Sequence, residues 1–403
     1  MIGYLLPKRI RMSSYMKNRI LLIKLSAYDS LASSNMRMLA LMKGLDELGY
    51  QMDLLCTPPS VTSNLNDMSD YDFLDRVTLV TIGLNQTYES LVTACNRGKR
   101  NGIKQRILSL MRKVYHSFSL YTNGAKPARK LSLDILPHHE YRYIISVSDP
   151  KSSQIALRTL IRKGLKCERV FEYWGDPLSG DITQKVVYPD WVIRLEERKY
   201  LKLADRIVYT SPFTLEMEQK KHPKYADRMM VVPTANAFQK IYSQTHNDVY
   251  TVGYYGAFKS SVRNIMPLYN AFSSLVGKAK LNLVGDSDLK LESTDNILVR
   301  PRGVVKDLEE QTDLFVCVLN SSGTQIPGKV YHTAATNKPV LVVIDGDEPE
   351  KMKRYLDSFD RFIICRNSEK EIVAAIERIM KDNREWEPCM LLNPKAIASR
   401  FIQ

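Results

Sequence analysis

The chain has 403 residues, of which 44% are hydrophobic and 25% are charged, a balance typical of a folded globular protein. This length suits two domains of ordinary size, each able to bury a substantial core. Lys and Arg outnumber Asp and Glu by 58 to 44, a formal charge of +14, which favours an anionic partner.

Several classes of protein are disfavoured. The longest apolar runs, such as Val340–Ile344, have the length of a strand, whereas a membrane-spanning helix needs about 20 residues. In the first 19 residues the basic side chains follow the apolar patch and no small-residue cleavage site is present, unlike a secretory signal. The six cysteines have neither zinc-ligand nor disulfide-framework spacing. We therefore expect a cytoplasmic protein with reduced cysteines and no metal site.

The first half of the chain alternates strands with helices. Residues 19–25 read as a buried strand, and the apolar residues from Met38 to Leu48 then recur at helical spacing up to Gly49. The predicted elements that follow are strands at 52–56, 143–147, 169–173, 207–210 and 229–232, with helices from Ser152 and Phe213. This alternation predicts a mostly parallel sheet covered by helices on both faces.

The alternation stops at a polar stretch without period and then restarts. Strands are predicted at 251–255, 281–284, 314–319, 340–344 and 361–365, and helices at 264–275 and 370–380. We expect an α/β fold of two doubly wound, Rossmann-like domains with a ligand cleft between them, at the carboxyl ends of the strands. The predicted boundaries are a first domain at 1–235, a linker at 236–250, a second domain at 251–385 and a C-terminal helix within 386–403 that packs back on the first domain.

Much of the excess positive charge lies in residues 97–130, which contain ten Lys or Arg residues and no acid. Apolar residues from Ile103 to Phe118 recur there at helical spacing, with Lys104, Arg106, Arg112 and Lys113 on other faces. Such a helix suits the surface of an anionic membrane, or it packs on the core with a basic outer side. Nucleic acid is disfavoured because no nucleic-acid-binding motif accompanies the segment.

The segment from Gly323 to Val330, GTQIPGKV, has the spacing of an ATP-binding P-loop except for its last residue. Val330 has no oxygen for magnesium, and Pro327 removes a backbone donor. The segment also follows a late strand of its domain, so a P-loop is disfavoured. Another interpretation is a helix that starts near Pro327 with Lys329 in its first turn, a site for a phosphate or diphosphate. A solvated Lys329 beside a turn glycine is the alternative.

The longer stretch IPGKVYHTAATNKPVL resembles the signature of GT-B glycosyltransferases, of the large family-four kind that build bacterial surface polysaccharides. VGYYGAFKSSVRNIMPLYNAF, LNLVGDSD and NILVRPRGVVKDLEEQTDLFVCVL resemble other parts of the donor domain in the same order. In the first half, FEYWGDP, ADRIVYTSPFTLEM and MMVVPTA resemble parts of the acceptor domain. The resemblance covers nearly the whole chain, and it is strongest from Val252 to Asp347.

The resemblance implies transfer of a sugar from a nucleoside-diphosphate donor to an acceptor hydroxyl, with no metal and no cofactor besides the donor itself. Charge grows on the leaving diphosphate, and fixed cations and amides stabilise it. The donor-binding residues that it implies are Gly256, Lys259, Arg263, Arg302, Thr324, Gln325, Gly328, Lys329 and His332, with Lys329 also catalytic. Solvation is the alternative for Arg263, and a core or surface position is the alternative for His332.

The chain departs from the family pattern at several positions. Thr324 and His332 stand where the family commonly has two acids eight residues apart, and neutral imidazole is a poorer acceptor than carboxylate. The usual glycine pair after the first strand is replaced by Ala32–Asn35, which includes Ser34, and Arg37 follows. We expect Ser34 and Arg37 on the acceptor side, where Arg37 could reach a phosphate. Asp176 is the candidate catalytic base, and a turn-forming role before Pro177 is its alternative.

The sequence therefore predicts a glycosyltransferase that extends a lipid-linked glycan in bacterial O-antigen or capsule synthesis. It would be peripheral at the inner face of the membrane, with residues 97–130 on anionic lipid. Two alternatives are a non-catalytic GT-B partner protein in a glycan-building complex and a nucleotide-sugar epimerase.

Overall fold

A computed structural model of the chain describes residues 18–30, 32–58, 68–83, 114, 117–121, 124–180, 186–243 and 248–403. The chain divides into two compact units, the first formed by residues 1–233 with 398–403 and the second by residues 234–397. The predicted linker at 236–250 and the predicted C-terminal segment at 386–403 stay predictions.

The first unit is built on a sheet of seven parallel strands. They are β1 (Arg19–Ala27), β2 (Gln51–Thr57), β3 (Val77–Thr81), β4 (Glu140–Val147), β5 (Lys166–Trp174), β6 (Arg206–Tyr209) and β7 (Met229–Val231). Their order is β3-β2-β1-β4-β5-β6-β7. The direction of winding therefore reverses between β1 and β4, the point at which open α/β sheets bind ligands.

Within the described ranges of the first unit, five helices accompany these strands in chain order. They are α1 (Ser33–Glu47), α2 (Ala125–Lys130), α3 (Ser152–Arg162), α4 (Asp190–Leu201) and α5 (Pro212–Lys221). Gly49, at a φ of +81°, lies just after the end of α1. The side chain of Ser211 accepts a hydrogen bond from the Phe213 backbone at the start of α5, where Pro212 occupies the first position.

The described residues of the second unit form six parallel strands and six α-helices. The strands are β8 (Tyr250–Tyr255), β9 (Ala279–Val284), β10 (Ile297–Arg300), β11 (Leu314–Val318), β12 (Val340–Ile344) and β13 (Ile363–Arg366). Their order is β10-β9-β8-β11-β12-β13, so the winding reverses between β8 and β11. The helices are α6 (Met266–Ala271), α7 (Lys306–Glu310), α8 (Gly328–Ala334), α9 (Pro349–Asp357), α10 (Glu369–Ile379) and α11 (Pro394–Phe401).

The central strands of each sheet are buried on both faces, which explains why they read as nearly continuous apolar runs. All five residues of β12 are buried, as are all five of β11. The end of α11 belongs to the first unit, because the ring of Phe401 packs against those of Phe171 and Tyr173 at 5.4 and 5.0 Å between centroids. The predicted class, two doubly wound α/β units, is confirmed.

The structure also differs from the predicted elements. The predicted helix at 264–275 is shorter, with α6 followed by a single 3-10 turn at Phe272–Ser274. Strands β3 and β10 and helices α2, α4, α7 and α9 were not predicted. The apolar and basic residues of the predicted membrane helix lie largely outside the described residues, except for Val114 and Phe118.

No helix in the described ranges combines the length and the apolar character that crossing a bilayer requires. The five described cysteines, Cys56, Cys167, Cys317, Cys365 and Cys389, are free thiols.

Candidate functional site

In the second unit, two glycine turns follow β8 and β9 at the carboxyl edge of the sheet. Gly256 has a φ of +156°, and its amide donates to the Val284 carbonyl at 2.7 Å. A Cβ placed on Gly285 would lie 1.9 Å from the Gly256 carbonyl oxygen. Only glycine at both positions allows the two turns to approach this closely.

The side chain of Lys329 occupies the space beside Gly256. A Cβ on Gly256 would lie 2.2 Å from Cε and 2.5 Å from Nζ of Lys329. Within the described ranges, the half-buried ammonium makes no hydrogen bond or ion pair. Burial lowers the pKa of Lys329 to about 8; Cys317 and Glu309 oppose this shift, and the cations Arg263 and Arg302 add to it. An ammonium without a counter-ion, among other cations, suits an anionic ligand.

The loop after β8 carries the next predicted residues. Arg263 donates from Nη1 to the Ala257 carbonyl at 2.6 Å, and its buried Nε has no hydrogen-bond partner among the described residues. Lys259 is exposed on the same loop. Arg302 follows β10 and lies 3.8 Å from Asp286, with both side chains about half exposed. The positive charges of Arg263 and Arg302 are therefore near enough to Lys329 to lower its pKa.

The loop after β11 contains Thr324 and Gln325 and leads into α8, which starts at Gly328. Its beginning is tied to the loop after β8, because the Ser321 amide and hydroxyl both donate to the Val262 carbonyl, at 2.8 and 3.1 Å. Asn320 donates to the Gln325 carbonyl at 3.3 Å. These bonds hold the two loops together at the point where the winding reverses.

His332 lies one turn beyond Lys329 on α8. Its Nε2 is buried with no hydrogen-bond partner among the described residues. Burial, with smaller effects of Lys329 and Lys240, lowers the pKa of His332 to about 4. The imidazole is therefore neutral at pH 7, able to share one hydrogen bond in each direction and unable to attract an anion.

In the first unit, Ser34 and Arg37 belong to a buried polar cluster at the point where β1 and β4 diverge. Lys24, 0% exposed within β1, donates to the Ser34 hydroxyl at 3.0 Å and to the Asp149 carbonyl at 2.5 Å. Lys151 pairs with the Asp149 carboxylate at 2.6 Å. Arg37 donates to the Ser148 carbonyl at 3.1 Å and lies over the Tyr173 ring, 4.9 Å from its centroid.

This cluster contains three cations, and their charges influence one another. Burial, with repulsion from Arg37, lowers the pKa of Lys24 to about 7. Although burial alone would raise it, the pKa of Asp149 is lowered because Lys151 and Arg37 lie beside it. Lys24 was not predicted as a site residue, and its signal in the sequence is the one lysine within the apolar run ILLIKL.

Asp176 lies half-buried in the turn after β5, and this turn is held from both sides. The Gly175 amide donates to the Ser148 hydroxyl at 2.9 Å. The Leu178 amide donates to Glu197 at 2.6 Å, and Lys221 donates to the Ser179 carbonyl at 3.0 Å. A carboxylate on such a fixed turn keeps its position, as a catalytic base requires.

Glu197 belongs to a buried group with Glu218 and His222, whose candidate ligand atoms lie within 4.8 Å of one another. His222 Nε2 lies 3.0 Å from Glu197 and 3.7 Å from Glu218. Burial, with the nearby charge of Glu197, raises the pKa of Glu218 to about 8. Lys221 lies 3.3 Å from the Glu218 carboxyl, whereas both oxygens of Glu218 and Nδ1 of His222 are buried without a hydrogen-bond partner among the described residues. We assign the group a structural role under the Asp176 turn.

The raised pKa of Glu218 predicts a pH dependence of stability. The folded chain keeps a proton that the unfolded chain loses above its ordinary pKa of 4.5. Stability should therefore fall as pH rises between about 5 and 8, by at most about 1.4 kcal/mol per pH unit. Replacing Glu218 with Gln should flatten this slope in urea unfolding. Glu216→Gln, exposed on the same helix, is the control, and equal slopes in both variants would refute the assignment.

The structure thus brings Gly256, Arg263, Gly328, Lys329 and Arg302 to one edge of the second sheet, and Ser34 and Arg37 to the switch point of the first. Asp176 lies on a separate turn of the first unit. The roles of all of these residues, including Lys259, Thr324, Gln325 and His332, stay predictions.

The chain is similar to several solved structures over nearly its whole length. The chain is similar to a glycosyltransferase from Rickettsia africae, with a TM-score of 0.52 and 12% identity over 96% of this chain and 93% of that one. It is similar to an α,α-trehalose 6-phosphate synthase from Burkholderia multivorans, with a TM-score of 0.53 and 9% identity over 96% and 94%. The N-terminal domain of a trehalose-6-phosphate phosphatase from Candida albicans gives 0.50 and 10% over 99% and 98%.

This likeness establishes the GT-B fold that the sequence analysis expected. At such low identity it establishes the fold alone. No protein-family profile matches the chain, and no curated protein matches it in sequence.

Proposed function

We propose that this GT-B chain is a glycosyltransferase that moves a sugar from a nucleoside-diphosphate donor to an acceptor hydroxyl. The observation that carries the proposal is the Lys329 ammonium, which lies against Gly256 at the carboxyl edge of the second sheet without an anionic partner among the described residues. A diphosphate is the ligand that this arrangement of cation, glycine turn and helix start fits best.

In the proposed reaction the glycosidic bond to the diphosphate breaks as the acceptor oxygen bonds to the sugar. Negative charge then grows on the leaving diphosphate. Lys329 and Arg263 meet that charge from fixed positions, which stabilises the transition state more than the ground state. Lys259 and Arg302 supply further positive charge from exposed positions. His332, being neutral, would hydrogen-bond the ribose rather than attract a phosphate.

The acceptor is assigned to the first unit. Arg37 and Ser34 lie in a cationic cluster that suits a phosphorylated acceptor, and Asp176 would take the proton from the attacking hydroxyl. We propose a lipid-linked glycan as the acceptor, in the synthesis of bacterial surface polysaccharide such as O-antigen or capsule, at the inner face of the cytoplasmic membrane. No metal or separate cofactor is required in this scheme, and activity that persists in EDTA is the measurement that checks it.

A screen of nucleotide sugars for protection against thermal unfolding tests the proposal. A donor that binds only the folded chain raises the melting temperature, and calorimetry with uridine and guanosine diphosphates then measures its affinity. We expect at least one nucleoside diphosphate to bind. If none binds at millimolar concentration, the proposal is wrong.

Turnover assays separate this function from its alternatives. Thr324 and His332 stand at the two positions where related enzymes commonly have acids, which favours a non-catalytic partner protein as the second candidate. That candidate predicts donor binding without sugar transfer to any acceptor. Consumption of the donor in the absence of an acceptor would instead indicate an epimerase.

A further inference from the structure

The first unit exposes a group of apolar side chains around the start of α4. In its described part, six of the eight exposed large apolar residues belong to this group: Val114, Phe118, Val187, Tyr188, Trp191 and Leu195. Phe118 is 61% exposed and Trp191 is 59% exposed. Apolar residues normally occur singly on a protein surface, and a contiguous group marks an interaction site. These six residues are called the apolar patch.

Hydrogen bonds hold the two chain segments of the apolar patch side by side. The Val187 amide donates to the Ser117 carbonyl at 3.0 Å, and the Tyr188 hydroxyl donates to the Phe118 carbonyl at 3.0 Å. Trp191 and Leu195 lie one turn apart on α4 and therefore share a face. Below them, the Tyr121 hydroxyl donates to Glu196 at 2.6 Å. The exposed side chains of the apolar patch are thus carried by backbone segments that these hydrogen bonds fix in place.

The charges that border the apolar patch leave an excess of cations. Asp190 pairs with Arg194 at 2.9 Å, and Glu196 pairs with Lys199, so both acids are compensated. Arg198 is exposed on the same helix and makes no ion pair within the described part of the chain. Lys126, Arg129 and Lys130 on α2, which follow Phe118 in the chain, are exposed and make no ion pair within the described residues. In the described segments that carry the patch, cations without a paired acid therefore outnumber free acids.

We infer that the apolar patch inserts into the headgroup region of an anionic lipid bilayer. Exposed Trp and Tyr beside aliphatic side chains suit the boundary between headgroups and acyl chains. The cations that lack a paired acid attract anionic lipid. The inference rests on the proposed function, because a lipid-linked acceptor would be delivered at the surface on which the first unit docks.

Vesicle binding by the full chain tests the inference. Vesicles of phosphatidylcholine with phosphatidylglycerol should bind the wild type, and vesicles of phosphatidylcholine alone should bind it weakly. The double variant Trp191→Ser with Leu195→Ser should lose roughly tenfold in partition onto the anionic vesicles. Val276→Ser with Val304→Ser is the matched control, because these residues are 63% and 93% exposed in the second unit. This control should bind like the wild type.

Fluorescence locates the contact. Lipids brominated in the acyl chains should quench Trp191, whereas Trp174, 1% exposed in the core, is out of reach. Trp191→Phe should keep binding and lose this quenching.

Replacing Lys126, Arg129 and Lys130 on α2 with Gln should weaken binding to the anionic vesicles at low salt.

Two results would overturn the inference. One is an unchanged partition of the Trp191→Ser with Leu195→Ser variant, with circular dichroism showing that it is folded. The other is light scattering that shows the wild type to be a dimer which this variant dissociates, since a second copy would then cover the patch. Nucleoside-diphosphate binding in calorimetry is measured without vesicles, so failure of the donor proposal is distinguishable from failure of the membrane inference.

Discussion

Replacing Lys329 with Met should weaken nucleoside-diphosphate binding roughly ten- to hundredfold, because a charge-assisted bond to phosphate contributes about 1.5–3 kcal/mol. Sugar transfer should fall by about a hundredfold, since the same ammonium meets the charge that develops on the leaving group. The variant should fold as well as the wild type or better. A half-buried cation with no described partner costs free energy in the ligand-free protein, and Met has a similar shape without the charge.

The pH dependence gives this prediction a second measurement. The ammonium form binds the diphosphate, and the pKa of Lys329 in the free protein is about 8. Affinity in calorimetry should therefore decline as pH rises from about 7 to 9, and Lys329→Met should be flat over the same range. Lys353→Met is the control, because Lys353 is an exposed lysine on α9 that pairs with Asp357 at 2.8 Å. Equal affinities of wild type and Lys329→Met would remove the central support for a donor site.

Replacing Asp176 with Asn should lower kcat about 10²- to 10⁴-fold, the usual contribution of a positioned general base. Asn keeps the size of the side chain and cannot accept a proton at neutral pH. Binding of the nucleoside diphosphate should not change, because Asp176 lies in the first unit and the donor is assigned to the second.

A structural role of Asp176 predicts a different pattern. If this residue only shapes the turn before Pro177, the variant should lose stability and keep its activity per folded molecule. The matched control is Asp70→Asn, which changes an exposed aspartate in another turn of the same unit. Full activity of Asp176→Asn with a lowered melting temperature would therefore contradict the catalytic assignment.

Elements whose apolar pattern is set by burial could be predicted closely from the sequence. Strand β12 was predicted at the residues where it occurs, because both faces of a central parallel strand are buried and the whole run is apolar. Helix α4 was not predicted, because the apolar residues Trp191 and Leu195 lie on its exposed side. They therefore break the helical spacing of apolar residues that would have indicated a helix. Strand β3 was missed for a related reason, since most of its residues are exposed at the edge of the sheet.

The candidate site was predicted in part. The glycines and cations of the second unit could be predicted because they lie in segments that resemble the donor domain of GT-B glycosyltransferases and that follow predicted strands. The contact of Lys329 with Gly256 and the close approach of the Gly256 and Gly285 turns depend on the order of the strands in the sheet. Local sequence patterns do not reveal that order. Lys24 was not predicted as a site residue, because one lysine does not change the apolar pattern that indicates a buried strand. The support of the Asp176 turn by Glu197 and His222 likewise exists only in the folded unit.

The packing of Phe401 against Phe171 and Tyr173 has a consequence for biosynthesis. The first unit is discontinuous in the chain, so a ribosome makes the last of its aromatic core only after it has made the entire second unit. Until Phe401 is made, part of the surface around Tyr173 stays exposed to solvent. The second unit is continuous in the chain and can fold as it leaves the ribosome. The later-made unit is therefore expected to mature first.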